Sequence, residues 1–445
     1  MEDSVKFLSG KSPESWDIII IGAGPAGIFA GIASVGFSCE NRKRVLILEK
    51  MSRAGRKLLI SGSGRCNLTH VGPIREFFSR YGRKEQFVKP ALMNFSNENL
   101  LEFLKSRGLS CFELNDGKIF PRSERARDVL ETLLSACNDF HVRLDYEQEI
   151  ENLSWDSTTE RFLIRTVSGR KLSAQKIIIA VGGKSYPTTG STGDGVGFAR
   201  TFGHSITPLK PALTPIYVER YSFTSCAGIA LPDVHLSLWR GGQKIGAHIG
   251  DVLFTHHGLS GPGILDMSRD FEAGDVLRLA SVRTFSLSDC TFTLSDRGLS
   301  ELLQENPQRE IGNLLRSAFE LPDRFVVELL ASAGISERLR AWEVTKKVRK
   351  VILGLLTDFP FTIQKVGGFR EAMVTAGGVN GAEVNRKTME SKLVSGLYFA
   401  GEVLDVDGDT GGFNLQFAFS SGVLAGQNAR KTLRSVCDEV KKVKK

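Results

Sequence analysis

Hydrophobic positions in this chain follow three different rhythms. Near the start, Ile18 to Ile21 is an unbroken apolar run, the mark of a strand covered on both faces, and "IFAGIAS" (28–34) continues with helical character. Residues 17–34 therefore read as strand, turn and helix, and "RVLILE" (44–49) reads as a second strand. The segments "EIENLSWDS", "RFLIRTVSG" and "KLSAQKIIIAVGG" (149–183) then read as three antiparallel strands ending in Gly182-Gly183. From about 204 to 296, short alternating runs such as "PIYVER", "VHLSLWRGGQKIG" and "VLRLASV" predict a small barrel or sandwich, and residues 297–361 turn to helical period. Late in the chain "GLYFAGE" (396–402) reads as one more buried parallel strand, followed by a helix starting near Asn414.

The turn after the first strand is Gly22-Ala23-Gly24-Pro25-Ala26-Gly27. In a GxGxxG turn the first glycine permits the bend, the second lets the backbone approach a pyrophosphate, and the third lets helix and strand pack closely, with the helix N-terminus facing the phosphates. Glu49 ends the second strand at the place where a carboxylate accepts hydrogen bonds from an adenosine ribose, with Lys50 beside it. The loop Gly62-Ser63-Gly64-Arg65-Cys66-Asn67 follows, with bare amides and a fixed positive charge. A strand meander spliced into a βαβ unit is the layout of glutathione-reductase-type FAD domains. The expected fold class is therefore α/β: a Rossmann-like FAD domain, parallel sheet plus antiparallel β-meander, with an inserted β-rich and helical substrate domain. The domain parts expected are 1–203, 204–361 and 362–445. On this reading the first glycine loop holds the ADP half of FAD. Glu402, at the tip of the late strand, binds ribityl hydroxyls, and the helix near Asn414 points its amides at flavin N1 and O2. Cofactor contacts are further expected from Ile150, Ala180, Gly182, Gly183, Gly401, Leu415 and Gln416.

Composition narrows the setting. The 445 residues are 41% hydrophobic and 24% charged, the profile of a folded chain of two or three domains. There is no long apolar run and no signal-like start, so the expected location is the cytoplasm with no membrane contact. Seven cysteines without a CxxC pair argue against a disulfide framework and against a zinc site, and no metal is expected. The net charge of +8 is concentrated: Ser336–Lys350 carries +4, Ala429–Lys445 carries +5, and the remainder is about neutral. Such runs serve either as solvated helix faces or as a phosphate-contacting surface.

The stretches "GRKLLISGSGRCNLTH" (55–70), "GGKSYPTTGSTGDGVGFARTFGHSITPLKPAL" (182–213), "LFTHHGLSGPGIL" (253–265), "VTAGGV" (374–379) and "TMESKLVSGLYFAGEVLDVDGDTGGFNLQFAFSSG" (388–422) together resemble the YhiN/BaiN-like flavoproteins, the aminoacetone-oxidase-like NAD(P)/FAD-dependent oxidoreductases. The likeness runs from about Asp17 to Gly426, and "TGDGVGFARTFGH" also resembles the wider fumarate-reductase and succinate-dehydrogenase group. "SGSG" and "FNLQFAF" depart slightly from the commoner "SGGG" and "YNLQWAF".

What the resemblance implies is an NAD(P)H-fuelled flavoenzyme. No second GxGxxG is present, so a nicotinamide has no domain of its own. Two residues are candidates for delivering the proton that accompanies hydride transfer. His256 lies in "FTHHGLSGP" and serves either as the acid or as a loop histidine capping a turn. Cys66 is either a thiol tuned toward thiolate by Arg65 or a small residue fitted under the flavin. Arg65 stands next in line, and Arg122 and Arg125 could orient an anionic substrate or form exposed salt bridges. Family members point to uridine reduction in ribosomal RNA, or to reduction of a small enone or oxidation of an amine. A non-catalytic flavin-binding redox protein is the remaining reading.

Overall fold

The structure, a computed structural model, describes residues 12–36, 43–282, 284–287 and 290–433. Most of the second basic run lies outside the described residues. Contact density divides the chain into two units, one made of residues up to Lys210 and from Met373 onward, the other of Pro211–Ala372.

In the first unit, strands β1 (Glu14–Ile21), β2 (Val45–Leu48), β3 (Arg143–Asp145), β4 (Ile150–Asp156), β5 (Arg161–Thr166), β6 (Lys171–Ile179) and β7 (Leu397–Phe399) belong to one sheet. Its parallel part has the order β7-β6-β1-β2-β3. Ile18, Ile19 and Ile20 have no exposed surface, which is why the run is apolar without alternation. β6 is shared along its length: Leu172 to Ala174 pair antiparallel with β5, which pairs with β4, whereas Ile177 to Ile179 pair in parallel with β7. The short strands Val384–Asn385 and Glu390–Ser391 extend the sheet beyond β7.

Two helices lead from glycine turns, α1 (Pro25–Val35) and α2 (Phe413–Lys431). They pack through residues without side chains. A Cβ at Gly422 would lie 2.3 Å from the Ala26 carbonyl oxygen, and one at Gly426 2.3 Å from that of Ala30. Contacts in the same order on both helices make them parallel. Because Ala26 stands near the start of α1 and Gly422 well inside α2, the start of α2 overshoots that of α1 by about eight residues, or about 12 Å.

The second unit is a closed barrel of Ile216–Val218, Gly258–Ser260, Gln243–Phe254, Ala230–Arg240, Val276–Ala280 and Phe359–Val366. Val234, Leu236 and Leu238 alternate inward, as the pattern predicts. Helices Asp296–Glu305, Ile311–Phe319, Asp323–Ala331 and Lys346–Thr357 belong to the same unit. This unit starts and ends later than the division at 204 and 361 read from the sequence. Ile206–Ala212 pairs with Val374–Val379, which draws its start into the first unit, and Phe359–Val366 closes the barrel.

Candidate functional site

The three glycines of the first turn have three different surroundings. Gly22 has φ 103°, its N–H donates to Leu48 O at 2.8 Å, and a Cβ there would lie 2.6 Å from the carbonyl oxygen of Ala180. At Gly27 a Cβ would come within 1.9 Å of the Gly22 carbonyl oxygen, so no side chain fits between turn and helix. Gly24 differs: a Cβ would meet nothing within 4 Å. Gly24 is also the cap of α1, with Pro25 at the first helical position and no side chain satisfying the free amides. Glu49 holds the turn in place, accepting from the Ala23 N–H and from the Met51 N–H, both at 2.9 Å. Each carboxylate oxygen keeps a further lone pair. Lys50 turns elsewhere, to Asp194 and to the Thr192 hydroxyl, each at 2.6 Å.

α2 begins in the same manner at Gly412, with φ 94° and no side-chain cap. A Cβ at Gly412 would lie 2.7 Å from the backbone of Thr69. With its amide oriented so that both ends are satisfied, Asn67 donates to Thr69 O and accepts from the Gly412 N–H, each at 3.1 Å, tying the 61–67 loop to the helix start. Asn414 clasps the acidic loop before it, accepting from Gly408 N–H and donating to Gly408 O, both at 2.8 Å. At the tip of β7, Glu402 accepts from Lys57 Nζ at 2.8 Å and from the Thr375 N–H at 2.7 Å. Gly183 leaves room for this cluster, since a Cβ there would lie 2.4 Å from Thr375 Oγ1 and 3.0 Å from Glu402 Oε1, and Gly182 lies alongside. Gly401 (φ 73°) packs on Ala26, joining the two glycine regions directly.

Between them the 61–67 loop is held in left-handed backbone at Gly62 (φ 55°), Ser63 (φ 58°), Gly64 (φ 86°) and Cys66 (φ 65°). Ser63 and Cys66 carry a Cβ into a region that disfavours it, an outlier of the kind that clusters at ligand sites. Cys66 is fully buried, and burial pushes its thiol up to about 12. The thiolate expected from its neighbour is therefore not favoured. Arg65 turns away, 4.8 Å over the Phe120 ring and 3.4 Å from Glu124.

Other sequence candidates are dispersed. The Gln416 side chain is fully buried and donates to Phe95 O (3.2 Å) and Ser420 (3.0 Å), so it faces the core where a cofactor contact was expected. Leu415 is half-buried, and Ile150 opens β4 opposite Thr166. His256 lies in the second unit, exposed on the turn between Gln243–Phe254 and Gly258–Ser260, with its carbonyl accepting from Thr224. Arg125 pairs with Asp128 at 3.0 Å, an exposed salt bridge. Lys57 and Thr375 were not anticipated: Lys57 reaches Glu402 across 345 residues of chain, and Thr375 meets it through a backbone N–H, which no residue type announces. Nor was a buried polar staple at the sheet edge, where His204 meets Ser391 Oγ at 2.8 Å and Glu383 at 3.2 Å.

Two glycine-led helix starts, parallel, uncapped and offset by about 12 Å, suit a ligand with phosphates at one point and an electron-accepting ring further along. The open space at Gly24, the carboxylate of Glu49 and the strained 61–67 loop fit FAD.

Residues 16–428 match the HI0933-like protein Rossmann domain. The chain is 32% identical over 411 residues to the 3-dehydro-bile acid delta(4,6)-reductase of Clostridium scindens, covering 92% of this chain and 98% of that protein. It is 30% identical over 423 residues to the ribosomal RNA dihydrouridine synthase of Escherichia coli (93% and 98%). Against the synthase of the same name from Haemophilus influenzae it is 32% identical over 413 residues (91% and 96%). The match takes in the first glycine turn and both helix starts, and the chain belongs to the HI0933-like family of FAD-dependent oxidoreductases.

Proposed function

We propose that this flavoenzyme takes electrons from NAD(P)H and saturates a C=C bond conjugated to a carbonyl, the substrate being uridine in ribosomal RNA and the product dihydrouridine. The observation that carries the reading is near-full-length similarity to two ribosomal RNA dihydrouridine synthases in a chain whose positive charge is gathered into short runs. The similarly close bile acid reductase favours a second reading, in which the enone belongs to a small molecule such as a steroid ketone. The two substrates share the conjugated unit and differ in their phosphates.

FAD supplies hydride transfer when bound. The free amides at Gly24 and the start of α1 receive its pyrophosphate, and the remaining lone pairs of Glu49 accept from the ribose. Gly62 to Asn67, Gly182, Gly183, Gly401 and Glu402 line the remainder, and the start of α2 offers its dipole to the ring edge that gains charge on reduction. His256 is the favoured proton donor, since burial pushes the Cys66 thiol up to about 12 and the Arg65 side chain is turned onto Phe120 and Glu124.

The test begins with the visible spectrum of the purified protein and anaerobic bleaching by NADH and NADPH. Dihydrouridine in ribosomal RNA from a deletion strain is then compared with wild type by mass spectrometry. Loss of one dihydrouridine, restored by the wild-type chain and about 10²–10⁴-fold more slowly by His256→Ala, is the expected result. Unchanged RNA together with turnover of a steroid dienone would decide for the small-molecule reading.

A further inference from the structure

The helical part of the inserted unit carries charges that work against its own stability. The Lys346–Thr357 helix opens with Lys346 and Lys347 in its first turn and no acid there, the end at which cations are disfavoured by the helix dipole. Lys346 and Lys350 stand at i,i+4, a like-charge spacing that also opposes the helix. The sequence counted Arg338, Arg340, Lys346, Lys347, Arg349 and Lys350 as one run, but the structure separates them. Arg349 is held by Asp296 at 2.8 and 2.9 Å and by Ser300 at 3.0 Å. Arg340 donates to the Gln308 carbonyl at 2.6 Å. Lys346, Lys347, Lys350 and Arg338 are exposed and form no ion pair among the described residues.

The same short stretch of chain carries an exposed aromatic residue, placed between Arg338 and Lys346. Trp342, four residues before Lys346, is 64% exposed, the most exposed large apolar side chain among the described residues. Its backbone is fixed, in a short turn (Ala341–Glu343) whose Ala341 is buried and whose Trp342 N–H donates to Pro307 O at 3.1 Å. An indole left mostly in water on a fixed backbone, within a few residues of these exposed cations, presents apolar surface that the fold does not cover. It is the combination used to bind unpaired nucleotides, in which a ring stacks on a base while ammonium groups meet the flanking phosphates.

We propose that this surface binds single-stranded RNA, with Trp342 as a stacking platform and Lys346, Lys347, Lys350 and Arg338 as phosphate contacts. The inference deepens the ribosomal RNA reading and rests on it for the identity of the partner. A paired helix would shield its bases from the indole, so the surface selects loops, ends or incompletely folded RNA.

The probe is a fluorescein-labelled 12-nucleotide oligouridylate, compared with a duplex of equal length, using the FAD-loaded full chain. Wild type should prefer the single strand. Trp342→Ala should weaken its binding about tenfold or more, with Trp342→Phe restoring most of the loss. Lys346→Gln, Lys347→Gln and Lys350→Gln together should lower the slope of log affinity against log salt by about 0.7 per cation. FAD content and NAD(P)H oxidation should stay unchanged in all of these variants, which alter exposed side chains. If Trp342→Ala and the triple variant bind and modify RNA like wild type, this surface is not the interface, and the RNA reading stands by itself. If wild type modifies no RNA and binds none, both fall. If the indole fluorescence responds instead to vesicles of anionic phospholipid, the surface is a membrane contact and the proposal is wrong.

Discussion

The two glycine-led helices use one backbone device in two settings. α1 begins against the apolar center of the parallel sheet, and its turn is fixed by backbone atoms and the single carboxylate of Glu49. α2 begins on side-chain contacts: Asn67, from the 61–67 loop, holds the Gly412 N–H, and its own second residue, Asn414, clasps the acidic loop before it. A free helix N-terminus attracts negative charge in both places, and the neighbours decide what else is recognised. The first setting is built to be rigid and general, the second to be particular.

The largest expected effect sets Gly27 against Gly24. Gly27→Val forces side-chain atoms onto the Gly22 carbonyl and should abolish soluble, yellow protein. Gly24→Val, whose added atoms meet open space in the chain alone, should fold with a melting temperature within a few degrees of wild type yet bind FAD at least 100-fold more weakly. Calorimetry with and without added FAD reads both. Equal thermal loss in the two variants would show that Gly24 is a folding residue and that the space beside it is not a ligand's.

A smaller effect separates the two carboxylates. Glu49→Ala removes a turn-fixing acceptor as well as a ribose contact and should weaken FAD by about 1–3 kcal/mol, with ADP affinity falling in parallel. Glu402→Gln keeps the shape at the far end, so ADP affinity should hold while FAD reduction by nicotinamide changes. Isothermal titration with ADP and with FAD distinguishes the two, and a matching ADP loss in both variants would erase the distinction between ends.

The smallest effect concerns acid. Burial pulls His204 below its usual value, and the bonds from Ser205 hold Glu383 below the usual carboxylate range. In both cases the unfolded chain binds more protons, so stability rises with pH and is lost as pH falls, from about 6.5 for the histidine and from about 4.3 for the carboxylate. Since the His204 ring packs edge-on against Phe399 in β7, the loss should appear first at the α2 side. The melting temperature should fall between pH 7.5 and 5.5, and His204→Gln should flatten that dependence.

The first helix start was legible in sequence because its parts are local: the strand, three glycines at fixed spacing and Glu49 all lie within 35 residues. The late strand was legible too, from its apolar run and glycines. Lys57 and the His204–Ser391 pair were not, since each finds its partner across roughly 180 residues or more of chain, and Thr375, which meets Glu402 through its backbone N–H, leaves no side-chain signal or local periodicity. Cys66 shows a different gap. Proximity to Arg65 in sequence suggested a charged sulfur, but Cys66 is buried while Arg65 lies over the Phe120 ring, and burial outweighs the hydrogen bond from Ser61 that would lower the thiol. The basic run was visible as charge, whereas the pairing of Arg349 with Asp296 was not.

The sharing of β6 between the meander and β7 also sets a timetable. A ribosome releases β6 long before β7, with the whole barrel unit translated between Ile179 and Leu397. At roughly 5–20 residues per second, the C-terminal half of β6 waits on the order of ten to forty seconds with one row of backbone groups unpaired. The barrel unit, whose strands all come from one continuous stretch, completes its pairing first. Nascent chains halted before residue 397 should therefore hold a closed barrel beside an open sheet edge, a form suited to chaperone capture and prone to aggregate where such help is scarce.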